Sequence, residues 1–246
     1  ETTRITNDPA EDVAPEVSPD GQWIAYQHGR CALNLMKPDG SATRALVDGW
    51  SDLAFRWSPD SKWIAYTRED DEHNSDLWIV PADGSRAPQN VSMHPDNDAG
   101  ASWSPDGKML VWTSPRRYFN QADLWYVRLQ EGDENLSRRD RLDALNQDQE
   151  PRGDEWGDGA DAAKSKKGAA EKGKKEGGKA VDSSKVEVKI DFKDLDRRAH
   201  RLTSFAGEES SALVSKDGKE VVLEAVVKEN QLIASANGRT LVFDRL

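Results

Sequence analysis

The sequence predicts an all-β protein, a β-propeller of four-stranded antiparallel blades, with about four blades in the 246 residues. Three repeated sequence motifs, called words below, predict this fold. The first is a turn word of the type S-P-D-G. The second is a short strand with a polar bend that precedes the turn, and the third, such as LWIVPADG, follows it. A four-stranded unit that repeats after about 40–45 residues is typical of a propeller blade.

The turn words explain the first hairpin of each unit. They occupy 18–21, 58–61, 104–107 and 215–218. Proline presets φ at the second turn position, aspartate can bond to nearby backbone, and glycine accepts a positive φ. We expect Ser61 in place of glycine, and Lys216 in place of proline, to weaken their turns without removing them.

The other two words supply the remaining strands. Thr6, Ser92 and Thr203 each lie 12 residues before the serine of a turn word. The WIAY runs after the first two turns are apolar on both faces, as expected of a strand that is covered on both sides. The pairs at 39–40, 83–84 and 237–238 are Asp-Gly or Asn-Gly, which indicate hairpins between the third and fourth strands.

The words divide the chain into four units, at about 13–47, 53–92, 99–203 and 208–246. The predicted domains are propeller blades at 1–129, a charged insertion at 130–185, and further blades at 186–246. Residues 4–6 match the last strand of a unit and are therefore surplus. This favours a fragment of a six- or seven-bladed propeller, whose open blade face would also allow a homo-oligomer.

An alternative use of the surplus strand is to complete the last blade, as a closing strand does in many propellers. That alternative requires that 240–243 is not already the last strand of the fourth unit.

The insertion differs from the rest of the chain in composition. Residues 131–158 contain ten acidic and four basic side chains, and residues 160–180 contain seven lysines and three acids. Because apolar side chains are almost absent, burial cannot offset the entropy of ordering, and we expect disorder apart from a short helix near 137–147. The lysine block is interpreted as a solvated tether rather than a binding site for an acidic partner.

Composition excludes several classes of protein. The formal net charge of −11 argues against nucleic acid as a partner. No apolar run is long enough to span a bilayer. The single cysteine, Cys31, excludes an internal disulfide. Because the first residue is Glu1 and no leader-like run follows it, the localisation stays open between an exported or periplasmic protein and a cytoplasmic one of a prokaryote.

The chain carries no motif of a known active site. It lacks G-x-S-x-G, H-E-x-x-H, a Walker loop and G-x-G-x-x-G. The turn serines repeat with the blades, which is not the pattern of a catalytic serine. We therefore predict no catalytic residue, no metal and no cofactor in this chain.

The four histidines are not predicted to be ligands. His94 lies near Asp96 and Asp98, a pattern that can hold a cation, but a polar loop is the favoured interpretation. His28 and His73 follow second strands and are predicted at the surface. His200 lies in a basic cluster with Arg197, Arg198 and Arg201; a solvated strand end is favoured over a carboxylate-binding site.

Two loops between second and third strands are the candidate binding site. One is acidic and includes Glu69 and Asp70; the other carries Arg116, Arg117 and Tyr118. Loops at one rim of a propeller often carry binding because the scaffold fixes them. The hypothesis is that loops 68–76 and 114–123 shape the access of a peptide, although their unlike charges can also simply pair.

These words resemble a known family. The SPDG-x-WIAY unit is similar to the propeller repeat of TolB-like and tricorn-like proteins, over roughly 1–129 and 186–246. The stretch NVSMHPDNDAGASWSPDGKMLVWTSPRRYFNQADLWYVRL, followed after the insertion by VEVKIDFKDLDRRAHRLTS, resembles the propeller region of tricorn-type serine peptidases.

The resemblance implies three functions that differ in what flanks the propeller. In a tricorn-like peptidase it would guide peptides or unfolded protein toward PDZ and protease modules of the same parent chain. A TolB-like protein would bind other proteins of the envelope. In a prolyl-oligopeptidase type the propeller would accompany a hydrolase domain. Fold alone does not choose among them.

Overall fold

The computed structural model describes residues 4–7, 9–29, 31–49, 53–118, 121–134, 186–203, 208–214, 221–227, 230–235 and 241–244. Within them, sixteen strands form four antiparallel sheets of four strands each. Sheet one contains β1 (Asp12–Val17), β2 (Ile24–His28), β3 (Ala32–Met36) and β4 (Arg44–Val47). Sheet two contains β5 (Phe55–Trp57), β6 (Trp63–Glu69), β7 (Ser75–Pro81) and β8 (Gln89–Asn90).

Sheet three contains β9 (Ala99–Trp103), β10 (Met109–Tyr118), β11 (Gln121–Arg128) and β12 (His200–Arg201). Sheet four contains β13 (Glu208–Val214), β14 (Val221–Val227), β15 (Asn230–Ser235) and β16 (Leu241–Asp244). In every sheet the strands lie in chain order, so each sheet is a meander. The prediction of repeated four-stranded antiparallel units is confirmed, and the number of blades in a whole propeller stays a prediction.

The surplus strand predicted at 4–6 is not found. Residues 4–7 belong to no strand, and the carbonyl oxygen of Ile5 lies over the β3–β4 turn, 2.7 Å from where a Cβ on Gly40 would stand. The backbone therefore crosses a turn instead of running beside a third strand. The place of a closing strand in sheet four is held by β16, which pairs with β15.

The turn words fold as one repeated hydrogen-bond motif. In the first copy the Ser18 hydroxyl donates to the Asp20 carboxylate at 2.6 Å and accepts from the Trp23 amide at 2.9 Å. The amide of Gly21 closes the turn on the Ser18 carbonyl at 2.8 Å. The copies at 58–61 and 104–107 make the same bonds. Serine and aspartate recur because each satisfies backbone groups that the turn leaves without strand partners.

Ser61 does more than replace a glycine. It has a φ of +61°, a conformation that serine adopts at a cost. Its hydroxyl accepts a hydrogen bond from the Asp20 amide at 3.0 Å, which ties the turn of sheet two to the turn of sheet one. The bond offsets the expected weakening of this turn.

After the insertion, residues 186–195 run across the turns of sheets two and three; we call them the strap. The Val188 amide donates to Asp60 Oδ2 at 2.9 Å, and the Asp191 amide donates to the Leu129 carbonyl at 2.8 Å. Val188 and Leu195 are buried with the core between these two sheets. The strap thus closes the end of that core.

The first strands of neighbouring sheets are joined by indole hydrogen bonds. Trp57 Nε1 donates to the Glu16 carbonyl at 3.1 Å, and Trp103 Nε1 donates to the Arg56 carbonyl at 3.2 Å. One core cluster lies between sheets one and two, and a second between sheets two and three. In the second cluster the fully buried side chains include Leu77, Ile79, Leu110, Trp112 and Leu129.

Only the first turn of the insertion is described. Glu131–Glu134 forms a four-residue helix, α1, and residues 196–198 form a 3₁₀ turn after the strap. Residues 135–185, with the helix predicted near 137–147, lie outside the described residues, so the predicted disorder stays a prediction. None of the helices in the described ranges has the length and hydropathy to cross a membrane.

Gly107 provides a test of how the strap is seated. Gly21 and Gly107 have almost the same φ, +70° and +69°, but a Cβ on Gly21 would meet open space while one on Gly107 would lie 2.7 Å from Val188 Cγ2. We expect Gly21→Ala to cost about 1–2 kcal/mol of unfolding free energy through its positive φ. Gly107→Ala should cost roughly 1–3 kcal/mol more, because the strap must shift.

Urea denaturation of both variants measures the difference. The two substitutions are matched in turn type and φ, so Gly21→Ala is the control. Equal losses in the two variants would show that the strap does not pack on Gly107.

Candidate functional site

The connections between strands lie at two opposite ends of the sheets. The β1–β2 and β3–β4 turns, with their counterparts in the other sheets, lie at one end of the strands, which we call the turn face. The β2–β3 loops and the connections between sheets lie at the other end, because successive strands are antiparallel. We call this end the loop face; it includes 70–74, 91–98 and 202–203. Both predicted binding loops lie at the loop face.

The connection from sheet two to sheet three is anchored on Asp76, at the start of β7. Its carboxylate accepts hydrogen bonds from Asn90 Nδ2 at 2.7 Å, Ser92 Oγ at 3.1 Å and the His94 amide at 3.1 Å. The Ser92 hydroxyl also accepts from the Leu77 amide at 2.9 Å. The loop is therefore held to the strand that it leaves.

Sheet three repeats this anchor. Thr203 Oγ1 accepts from the Leu124 amide at 2.9 Å, and Arg201 donates to Asp123 Oδ2 at 3.1 Å. Ser92 and Thr203, the hydroxyl residues of the strand-and-bend word, therefore each accept a hydrogen bond from the third strand of their own sheet. The sequence interpretation missed the two aspartates, although the word Asp-Leu-Trp at 76–78 and 123–125 was the signal that marks them.

Arg116 lies inside the loop face rather than at its surface. Its side chain is 9% exposed. The guanidinium donates to the Ser92 carbonyl at 3.2 Å, the Ser114 hydroxyl at 3.2 Å and the Asp98 carboxylate at 3.4 Å. Its centre lies 4.7 Å from the ring centroid of Trp125. Arg116 thus joins the loop of sheet two to the strands of sheet three.

Asp98 is the buried partner of Arg116, with a side chain that is fully buried. Burial raises the pKa of Asp98 above its ordinary value, and the nearby hydroxyl groups of Ser114 and Ser92 and the charge of Arg116 act in the opposite direction. Its amide donates to the Ser75 carbonyl at 2.7 Å, which fixes the backbone here. The Arg116 guanidinium is thus one of the groups that favour the ionised form of Asp98 against its burial.

Arg117 and Tyr118 end β10, where Tyr118 pairs with Gln121 of β11. Their side chains lie outside the described residues, so their predicted role in binding stays a prediction. The backbone places both at the loop face, next to the anchored connection.

Glu69 and Asp70 border an open acidic concavity of about 440 Å³. Its lining is Arg68, Glu69, Asp70, Asp71, Glu72, Asp76 and Trp78. Asp70 accepts hydrogen bonds from the Glu72 and Asn74 amides, both at 2.9 Å. The Asn74 backbone bond is the main cause that lowers the pKa of Asp70. Asp70 therefore shapes the loop and stays ionised.

Trp78 and Arg68 complete this concavity. The Arg68 guanidinium lies 5.6 Å from the Trp78 ring centroid, within the range of a cation–π contact. The surface combines carboxylates with an aromatic side chain, which can bind a chain segment by charge and by stacking.

Each of the four histidines is paired with a carboxylate. Three pairs have these N–O distances: His28 to Asp12 at 2.8 Å, His94 to Asp96 at 3.4 Å and His200 to Glu134 at 2.8 Å; His73 pairs with Glu69. His73 is well exposed and His28 is partly buried. The described ranges contain no group of three or more His, Cys, Asp or Glu side chains placed to hold a metal.

Comparisons with known proteins show the fold. No family model matches the chain, and no curated protein matches it. Among solved structures, the tricorn protease aligns over 96% of this chain with a TM-score of 0.63 and 13% identity. TolB from Acinetobacter baumannii aligns over 97% with a TM-score of 0.56 and 16% identity. A puromycin-hydrolyzing peptidase of Mycobacterium tuberculosis aligns over 95% with a TM-score of 0.57 and 12% identity.

The resemblance to TolB-like and tricorn-like propellers is thus confirmed at the level of the fold. The chain spans less than half of each of these proteins: 44% of the TolB chain, 22% of the tricorn protease and 31% of the puromycin-hydrolyzing peptidase.

The pairing of Arg116 with Asp98 makes a prediction for stability and its pH dependence. Arg116→Ala leaves a buried carboxylate without its cation, and we expect a loss of about 3–5 kcal/mol in unfolding free energy near neutral pH. Asp98 has a folded pKa above its unfolded value, so its contribution to stability is complete below the unfolded value and is lost as pH rises through the folded one. Removing Arg116 enlarges that shift.

The loss in Arg116→Ala should therefore be larger at about pH 7 than at about pH 4, because protonation of Asp98 removes the unpaired buried charge. Denaturation at both pH values measures it. The control is Arg197→Ala, which removes an exposed cation 3.9 Å from Asp194 and should cost at most about 1 kcal/mol. A loss in Arg116→Ala that does not depend on pH would contradict the pairing.

Proposed function

We propose that this chain is a noncatalytic propeller segment of a larger, tricorn-like serine peptidase, which guides peptide substrates toward a protease core outside this chain. The observation that carries the proposal is the likeness to the tricorn protease, which covers 96% of this chain but only 22% of that one. A chain that matches a small part of a large protease, and that lacks the motifs of an active site, is suited to presenting substrate to another module.

The loop face is the surface that would receive the peptide. Its floor is rigid, because Asp76, Asp98 and Arg116 tie the connection between sheets two and three to the strands beneath it. The acidic concavity beside this floor, with Trp78 in its lining, favours a peptide that carries basic side chains or a free amino terminus. Arg117 and Tyr118 border the same face and would contact the peptide.

A protein-binding propeller of the TolB type is the second candidate. The likeness to TolB from Acinetobacter baumannii covers 44% of that chain, a larger share than for either peptidase. The same loop face would then hold a folded or extended part of another envelope protein instead of a substrate. A propeller that accompanies a hydrolase domain is supported in the same way by the puromycin-hydrolyzing peptidase.

The acidic concavity gives a direct test of peptide binding. We expect a short fluorescein-labelled peptide rich in lysine to bind this chain, and Asp71→Asn with Glu72→Gln to weaken binding about three- to tenfold, because two carboxylates are neutralised. Fluorescence anisotropy at low ionic strength measures it, since screening reduces such contacts. Asp70 is left unchanged because it shapes the loop.

Glu187→Gln is the matched control, since Glu187 is an exposed carboxylate on the strap at the other end of the sheets. It should leave the affinity for the peptide unchanged. Equal binding by the double variant and the parent chain would count against the loop face as the site.

The coding sequence around this chain separates the candidate functions. For the tricorn-like peptidase we expect a PDZ module and a serine protease core after Leu246. For the TolB type we expect a leader and a small α/β domain before Glu1 and no protease core. Sequencing the gene in both directions is the measurement, and a protease core would exclude the TolB type.

A further inference from the structure

An open groove lies at the turn face between sheets one and two, opposite the loop face. It has a volume of about 360 Å³ and is lined by Trp23, Trp63, Arg44 and Lys62 among others, with the strap residue Val188 at one side. We propose that this groove, the indole groove, binds an extended acidic segment of a partner protein that places an aromatic side chain on Trp23.

The strap provides an example within this chain of an aromatic side chain that stacks on one of these tryptophans. Phe192 lies on Trp63 with 5.6 Å between ring centroids, and the Arg86 guanidinium lies 4.1 Å from the Phe192 ring. The phenyl ring is thus held between an indole and a cation. Aromatic pairs and cation–π contacts both add to the free energy of simple apolar burial.

Trp23 is the counterpart of Trp63 in sheet one. Both follow the turn serine by five residues, and both amides donate to that serine hydroxyl at 2.9 Å. Among the described residues no aromatic ring stacks on Trp23. Lys37 Nζ lies 4.0 Å and the Arg44 guanidinium 5.4 Å from the Trp23 ring. The indole is therefore present with Lys37 lying on its ring, and a ring from a partner would take the place of the Lys37 ammonium group.

Charge favours an acidic partner. Arg44 and the exposed Lys62 line the groove together with one carboxylate, Asp83, and Lys37 adds a cation over the Trp23 ring. The nearby carboxylates of Asp39 and Asp83 accept hydrogen bonds from the Ser41 and Ser85 amides of their own turns, each at 2.9 Å. Carboxylates of a partner beside the inserted ring would pair with the lysine ammonium groups.

The shape of the groove favours an extended segment that stays on the tryptophan side of the turns. The strap crosses the row of turns at Gly107, where no side chain stands in its way. At the equivalent position between sheets one and two, Ser61 fills this space and bonds to Asp20. A segment in the indole groove would therefore run beside the strap, along Val188, without crossing the turns.

The test uses a fluorescein-labelled peptide with one phenylalanine among aspartates and glutamates, and anisotropy with this chain. We expect the acidic peptide to bind, and Phe→Ala in the peptide, or Lys37→Glu with Lys62→Glu in the chain, to weaken binding about tenfold. Trp23→Ala should weaken it similarly, with circular dichroism to check that the variant folds. Because both lysine substitutions change side-chain ends at the surface, that variant tests the proposal even if Trp23→Ala does not fold.

Two controls separate this groove from other sites. Arg197→Glu reverses an exposed charge elsewhere and should leave binding unchanged. Asp71→Asn with Glu72→Gln alters only the loop face and should also leave it unchanged, so this proposal and the proposed function fail separately. Unchanged affinity for the acidic peptide in the lysine double variant, or after Phe→Ala in the peptide, would overturn the proposal.

Discussion

Hydrogen bonds between neighbouring sheets set the arrangement on which the other features depend. A four-stranded sheet with two apolar faces is stable only when both faces are covered, so its position against the next sheet must be specific. The indole of Trp57 bonds to the first strand of sheet one, and that of Trp103 to the first strand of sheet two. At the turn face, Ser61 and the strap link the turns of successive sheets in a second way. Sheets fixed at both places hold their loops at constant spacing, which a binding surface requires.

The repeated words made the sheets predictable because they encode local structure. The serine, aspartate and glycine of each turn bond within about five residues, so their pattern is visible in the sequence. The positions of the two binding loops at one end followed from strand order alone. Residues 4–6 belong to no strand, because a strand is defined by its neighbour; their assignment to a further blade stays a prediction, while the alternative that they complete sheet four is wrong because β16 pairs with β15 there.

The site was less predictable because its contacts join distant parts of the chain. The sequence predicts Arg116 in a rim loop, but the side chain is held inside by its partners Ser92 and Asp98, which are 24 and 18 residues away. Whether an arginine points outward or inward depends on such partners, which do not recur with the repeat. Ser61 was interpreted as a weak glycine substitute for the same reason, since its partner Asp20 is 41 residues away. Local patterns therefore predict the scaffold, and long-range pairs decide what its loops expose.

The residues on either side of the insertion explain why a four-stranded sheet can tolerate it. Residues 129–199 separate β11 from β12, yet Trp125 pairs with Arg201 and the Leu124 amide reaches Thr203, 79 residues away. The entropy of closing a loop grows only with the logarithm of its length, so a long insertion costs little more than a short one. The two chain segments that flank the insertion must also be held together by hydrogen bonds. Glu134 makes these bonds: one carboxylate oxygen lies 3.2 Å from the Arg128 amide and the other lies 2.8 Å from His200 Nε2. These bonds join the chain segments on the two sides of the insertion at the turn face, next to the pairing of the third and fourth strands.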